Sequence, residues 1–294
     1  MEWMSYAEIT GSMTEVMPLP DTALVTLWCR ASEARRADAI IDDPLAVSVV
    51  DSIEYDFSKF KLSADRQDLA LRALAFDRAA HAYLSDHPRA TVVALGEGMQ
   101  TSFWRVDAAD DSDEFRWLTV DLPPIIELRK RLLPTSPRMA ACAQSVLDFT
   151  WMDQVDARHG VFVTAEGLLP YLEPGEALDL IGECARRFPG GQLMFDLPPK
   201  SQALLAGRPR LWKILRGDWP LTPFSLTGRE RARLADSVPG VRAVHDVRLP
   251  RGRGPLFDTL LSKTRVSPLH RLLRWWVGAN WPTIASLTLL EFDG

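Results

Sequence analysis

The chain has 294 residues, 47% hydrophobic and 25% charged, with a formal net charge of −5 at pH 7. It is too apolar to be disordered, long enough to bury a full core, and too acidic to grip nucleic acid through a basic surface. Its most apolar stretch, 275–290, is broken by Asn280 and Pro282, short of the ~20 clean residues of a membrane span, and no basic segment leads into an apolar run near Met1, so a cytoplasmic protein is expected.

Residues 1–20 show no periodicity and end at Pro18-Leu19-Pro20, which reads as an arm. From Asp21 to about Pro88 the pattern is helical. Leu69, Ala73, Phe76, Ala80 and Tyr83 recur at alternating steps of four and three, which sets them on one face of one helix. Residues 1–90 are therefore expected to form an N-terminal arm and helical layer. A different rhythm begins at Thr91. Thr91–Leu95 is a short apolar run that ends in Gly96-Glu97-Gly98, a buried strand and a tight turn. Arg116–Val120 is a second strand ending at Asp121. A helix should follow it, opened by Pro123 or Pro124 and carrying Ile125, Leu128 and Leu132 on one face.

Gln144–Leu147 reads as a third strand ending at Asp148, and Val161–Ala165 as a fourth ending at Glu166-Gly167. Pro174 opens a helix with Ala177, Leu180, Ile181, Cys184 and Phe188 on one face, and Gln192–Asp196 is a fifth strand. Residues 198–238 break this alternation and are expected to form an inserted helical cap. Val241–Leu249 and Ser286–Phe292 are the last strands. Strand alternating with helix implies an α/β domain over 91–294, built on a parallel sheet covered on both faces. Cys29, Cys142 and Cys184 are far apart and the five histidines form no ligand spacing, so no metal site is expected. Ten tryptophans suit an aromatic core, or a pocket for a bulky ligand.

In an open parallel sheet the ligand lies beyond the carboxyl ends of the strands. Four strands end here in a polar signature: Gly96-Glu97-Gly98, Asp121, Asp148 and Glu166. The two glycines permit close backbone approach to a ligand. Asp121 follows Gly98 by 23 residues, close to the ~20 at which such folds place an acid on ribose hydroxyls. Asp148 is placed to accept from an adenine amine. The dinucleotide fingerprint wants a third glycine where Thr101 stands, so a nicotinamide cofactor is the weaker choice. A phosphate-free, cationic nucleoside such as S-adenosylmethionine fits better, with Glu166 opposite its ammonium.

These residues carry a family resemblance. Val92–Gly98 with Thr101 and Phe103-Trp104-Arg105 is similar to the first motif of the leucine carboxyl methyltransferase superfamily. Further matches are Val120–Pro123 with Arg129–Leu133, Ser145–Trp151, Ala165–Leu169 with Tyr171–Pro174, and Arg30–Ile40 with Asp43-Pro44. The chain most resembles the bacterial, tetracenomycin-related polyketide O-methyltransferases. The resemblance implies a Rossmann-like, seven-stranded methyltransferase sheet and S-adenosylmethionine as donor. It implies Arg72 on the donor's carboxylate, Gly96, Glu97 and Gly98 along its methionine portion, and Asp121 with Leu122 at the ribose. Leu147 and Asp148 would meet the adenine, and Glu166 with Gly167 the ammonium. Arg30 and Tyr171 lie where the family faces its acceptor. The family usually reads glycine, leucine, aspartate, threonine, arginine where this chain has Gly98-Met99-Gln100-Thr101-Ser102, which suggests an ion pair replaced by a neutral pair.

The expected activity is O-methylation of a carboxylate or acidic hydroxyl on a small, largely apolar, polyketide-like molecule. No histidine falls in the motifs, which suits an acceptor that is already ionised. The alternatives are an inactive binding protein on the same fold and, more distantly, a nucleotide-dependent oxidoreductase. No nucleic-acid or membrane partner is expected, and the oligomeric state is left open.

Overall fold

Among the described residues, three α-helices precede the first strand. In the computed structural model, which describes residues 21–58, 60, 67–109, 114–198, 221–250, 252 and 286–294, they are α1 (Asp21–Ala34), α2 (Pro44–Ser52) and α3 (Gln67–Asp86). Asp43 caps α2 by accepting from the Ala46 N–H at 3.0 Å, with Pro44 in the first turn, where its missing N–H costs nothing. Ala73, Phe76, Ala80 and Tyr83 of α3 are all buried, as their spacing predicts.

Seven strands then form one sheet in the order β3-β2-β1-β4-β5-β7-β6. They are β1 (Thr91–Leu95), β2 (Arg116–Asp121), β3 (Met139–Ala143), β4 (Val161–Ala165), β5 (Gln192–Leu197), β6 (Val241–Val247) and β7 (Ser286–Phe292). The first five are parallel, while β7 runs antiparallel to both β5 and β6. Helices α4 (Ser102–Ala109), α5 (Pro123–Leu132) and α6 (Pro174–Arg187) make the crossovers. Strand order reverses at β1, which pairs with β2 on one side and β4 on the other.

Every residue of β1 and β4 is buried, so alternate side chains feed two cores. On one face Val93, Leu95, Val163 and Ala165 meet Ala177, Leu180, Ile181 and Cys184 of α6. On the other Val92, Ala94 and Phe162 meet Phe76, Ala80 and Tyr83 of α3 and Phe103 and Val106 of α4. Burying an aliphatic side chain contributes about 1.5–3 kcal/mol, so these two layers hold the strand ends in register for the loops above them.

The structure corrects several readings. The third strand is Met139–Ala143, and Gln144–Leu147 belongs to the loop that follows it. β3 is an edge strand with Ala140, Ala141 and Ala143 exposed, so no buried apolar run marked it. The sixth strand stops at Val247 rather than Leu249. The sheet is not parallel throughout, because β7 enters between β5 and β6 and runs antiparallel to both. The helix after β2 buries Ile126 and Arg129, with Ile125, Leu128 and Leu132 half-buried. Most of the cap expected over 198–238 lies outside the described residues, as do the N-terminal arm and Trp212, Trp219, Trp275, Trp276 and Trp281. The described part holds two short helices, Gly228–Ala232 and Leu234–Ser237, and Leu234 and Val238 join the α6 core.

Candidate functional site

The loop from Gly96 to Thr101 joins β1 to α4 at the point where strand order reverses. Gly96 has φ +59° and Gly98 φ +55°, a left-handed region that glycine enters without cost. At Gly96 space is also short, since a Cβ there would sit 2.8 Å from Leu168 Cδ1.

Asp121, at the end of β2, anchors the loop. Its Oδ2 accepts from the Gly98 N–H and its Oδ1 from the Leu122 N–H, each at 2.7 Å. Burial pushes this carboxyl up to about 6, against the pull of those two bonds and of Arg129. Arg129 reaches from α5 and donates to the Gly98 and Gln100 carbonyls at 2.8 and 2.9 Å. Its Nη2 stands 2.9 Å from Glu97 Oε2, an ion pair without the alignment of a hydrogen bond. The Thr119 hydroxyl donates to the same Glu97 oxygen at 2.5 Å.

A second group of charges lies across the loop. Arg72 of α3 donates through Nε to Glu166 Oε1 at 3.0 Å and through Nη1 to Asp196 Oδ2 at 2.9 Å. Gln100 Nε2 donates to the same Glu166 oxygen at 2.8 Å, and the Gly167 N–H donates to Asp196 Oδ1 at 2.5 Å. Burial lowers the Arg72 pKa, but Asp196 and Glu166 outweigh it and hold the guanidinium above its ordinary value. Glu166 is pushed up by burial, partly offset by Arg72.

Behind the loop a buried network joins four helices. Arg30 of α1 donates to Asp43 Oδ2 at 3.1 Å and to the Met99 carbonyl at 2.7 Å. Arg105 of α4 donates to Asp43 at 2.9 Å and to both oxygens of Asp77, on α3, at 2.7 and 3.0 Å. The Thr101 hydroxyl points at both oxygens of Asp43. Burial works to raise the Asp43 pKa, yet Arg105 and Arg30 together keep it below the usual carboxylate range.

Gly96, Glu97, Gly98, Asp121, Leu122, Glu166, Gly167 and Arg72 thus surround one loop. Asp148 stands in the loop beyond edge strand β3, exposed, where it caps the turn Phe149–Gln154 by accepting from the Thr150 N–H and hydroxyl, with Leu147 half-buried beside it. Tyr171 is half-buried on the short turn after β4, close enough to Arg72 to act on its charge. Two expectations change. Arg30 is wholly buried and held by Asp43 and the Met99 carbonyl rather than exposed to a pocket, because a guanidinium this deep needs a carboxylate beside it. Gln100 and Ser102 do not pair with each other: Gln100 binds Glu166, while Ser102 Oγ accepts from Arg105 at 3.1 Å.

Sequence reasoning assigned no role to Asp43, Arg105, Arg129 or Asp196. Asp196 was within reach, since it too is an acid near the end of a strand. Arg129 sits in an Arg129-Lys130-Arg131 run that looks like any solvated helix end.

Around the loop, Glu97, Asp121, Glu166 and Asp196 confront Arg72 and Arg129, an excess of two negative charges when all are ionised. Arg30, Arg105, Asp43 and Asp77 balance among themselves. Such a site favours a cationic ligand. Among the described residues no cluster of His, Cys, Asp and Glu suits a metal ion, and no helix is long and apolar enough to cross a membrane.

Comparison with known proteins shows the family to which this chain is similar. The profile of the leucine carboxyl methyltransferase family matches residues 23–185. The tetracenomycin polyketide synthesis O-methyltransferase TcmP of Streptomyces glaucescens is 32% identical over 187 residues, covering 63% of this chain and 68% of that protein. The S-adenosyl-L-methionine-dependent methyltransferase dpfgK of Gibberella zeae is 27% identical over 199 residues, covering 60% and 65%. A solved structure from Thermobifida fusca YX, assigned as a methyltransferase, covers 95% of this chain and 100% of its own at TM-score 0.55 and 16% identity. That likeness bears on the fold alone.

Proposed function

The chain belongs to the leucine carboxyl methyltransferase family, and from that premise we propose that it transfers a methyl group from S-adenosylmethionine to the carboxylate or acidic hydroxyl of a small, largely apolar, polyketide-like acceptor. The observation that carries the reading is the gathering of four carboxylates against two guanidinium groups around the loop at the ends of β1, β2, β4 and β5, an excess of two negative charges when all are ionised. The donor's ammonium, sulfonium and carboxylate sum to one positive charge, and its demethylated product is neutral. The site therefore fits the donor and discriminates against the product. Bound there, the donor supplies a methyl group already activated on sulfur.

The chain's own residues bind and orient. Each Asp121 oxygen takes one backbone N–H and keeps a lone pair for a ribose hydroxyl. Glu166 Oε1 is held by Arg72 and Gln100, which leaves Oε2 for an ammonium. Arg72 Nη2 lies beside Gly167, 3.4 Å from where a Cβ would stand, and is assigned to the donor's carboxylate. Leu147 and Asp148 are assigned to the adenine and Tyr171 to the acceptor's side. An ionised acceptor needs no proton removed at pH 7, so the protein's task is in-line alignment at about 3–3.5 Å with water excluded.

Calorimetric titration of S-adenosylmethionine into wild type and Asp121→Ala tests this. Saturable binding by wild type is expected, with a loss of about 1.5–3 kcal/mol in the variant, the range for hydrogen bonds to a charged group. Folded wild type that binds no donor overturns the proposal. Donor binding with no turnover on carboxylic and phenolic acceptors identifies an inactive binding protein.

A further inference from the structure

Three buried polar atoms with no hydrogen-bond partner belong to residues that line one cavity: Glu97 Oε1, Gln100 Oε1 and Trp117 Nε1. The cavity measures about 20 Å³, with Phe76 of α3, Ala94 of β1 and Thr164 of β4 in its wall; the other polar side chains there, Asp77, Ser102 and Glu166, already have partners. A water needs roughly 10–15 Å³ and two to four polar partners. The three atoms are two acceptors and one donor, complementary to a water that accepts once and donates twice. An apolar filling leaves all three unpaired, and a cation would face the indole N–H.

We propose that this cavity holds a single buried water that accepts from Trp117 Nε1 and donates to Glu97 Oε1 and Gln100 Oε1, and that the water keeps the Gln100 amide with its nitrogen toward Glu166. Gln100 is then a positioning residue for Glu166. Reversing the amide would set its oxygen against Glu166 Oε1 across 2.8 Å, two acceptors facing each other. The other charges that act on Glu166 are Arg72 from α3, Asp196 from β5, Arg30 from α1 and Arg105 from α4. Gln100 adds the neutral donor that helps it stay ionised. The water is independent of the donor reading; the positioning role rests on it.

The water is tested on the protein alone. A high-resolution crystal structure of wild type is expected to show one water within about 3 Å of all three atoms, and Trp117→Phe is expected to lose it. A dry cavity, or a water that does not touch Gln100, overturns the proposal, and the wild-type crystal decides even if the variant does not fold. The second arm titrates S-adenosylmethionine against pH. Gln100→Met, of similar length and without the amide, is expected to raise the pH below which affinity is lost by about one unit, the scale for removing one hydrogen bond to a carboxylate. An unchanged midpoint overturns the positioning role. Wild type that binds no donor at any pH removes the donor reading and the positioning role together, while the water is still decided by the crystal.

Discussion

Asp121 offers a test in which stability and function move in opposite directions. It is 5% exposed, and burial raises its pKa from 3.8 to about 6. A folded-state pKa above the unfolded one means that the fold takes up the proton more readily than the unfolded chain. The resulting stability is fully present below about pH 4 and is lost as pH rises through 6. The interval corresponds to about 3 kcal/mol. Asp121→Asn cannot ionise, so it escapes that loss. Its single carbonyl oxygen can replace only one of the two bonds from Gly98 and Leu122, a cost of about 1–2 kcal/mol that does not depend on pH. Relative to wild type, the variant should therefore gain about 3 kcal/mol between pH 4 and pH 7.5. Since about 1 kcal/mol moves the midpoint by some 2–4 °C in a domain approaching this size, the two thermal midpoints should shift against each other by about 6 °C or more. Urea unfolding at both pH values gives the free energies directly. The same variant should bind S-adenosylmethionine about ten- to a hundredfold more weakly, through the lost charge-assisted bonds. A stability difference that stays flat with pH would show that Asp121 is not the buried, reluctant anion described here.

The two loop glycines should separate strain from crowding. Gly98→Ala meets only Ala23 Cβ at 3.6 Å and should cost about 1 kcal/mol for its left-handed backbone, whereas Gly96→Ala adds a 2.8 Å approach to Leu168 Cδ1 and should cost about 1–3 kcal/mol more. Paired urea melts check the order, and equal losses would refute the crowding argument. Arg105→Met should cost about 3–5 kcal/mol by leaving Asp43 and Asp77 buried without their shared guanidinium. Asp77, already raised by burial, would rise further without Arg105, and Asp43 would lose the larger of the two charges that lower it, so the loss should shrink as pH falls from 8 to 5. A loss that grows on acidification, measured by the same unfolding experiment, would count against the assignment.

Period and burial were legible wherever a segment had one environment along its length. Thr91–Leu95 and Val161–Ala165 are buried at every position, and their apolar runs mark them to the residue. The Ala177, Leu180, Ile181 and Cys184 face of α6 follows the helical repeat because it packs along its length on one face of the sheet. Met139–Ala143 was missed for the opposite reason. An edge strand of small, mostly exposed residues is specified by its ladder to β2, which the chain segment does not encode locally.

At the site the same division holds. Gly96, Gly98 and Asp121 announce themselves because a left-handed turn needs glycine and a strand-end carboxylate is costly without a ligand. The sequence alone determined the alternating α/β frame, the acidic strand ends, and a preference for a cationic nucleoside, but not that the last strand runs antiparallel. Only the tertiary structure decided which charges meet. Arg30 is drawn into the interior by Asp43, Arg129 braces the loop from a helix that reads as solvated, and Gln100 turns to Glu166 rather than to Ser102. Those pairings join residues tens of positions apart. A charge out of water must find its partner wherever packing has placed one, and no local pattern records that.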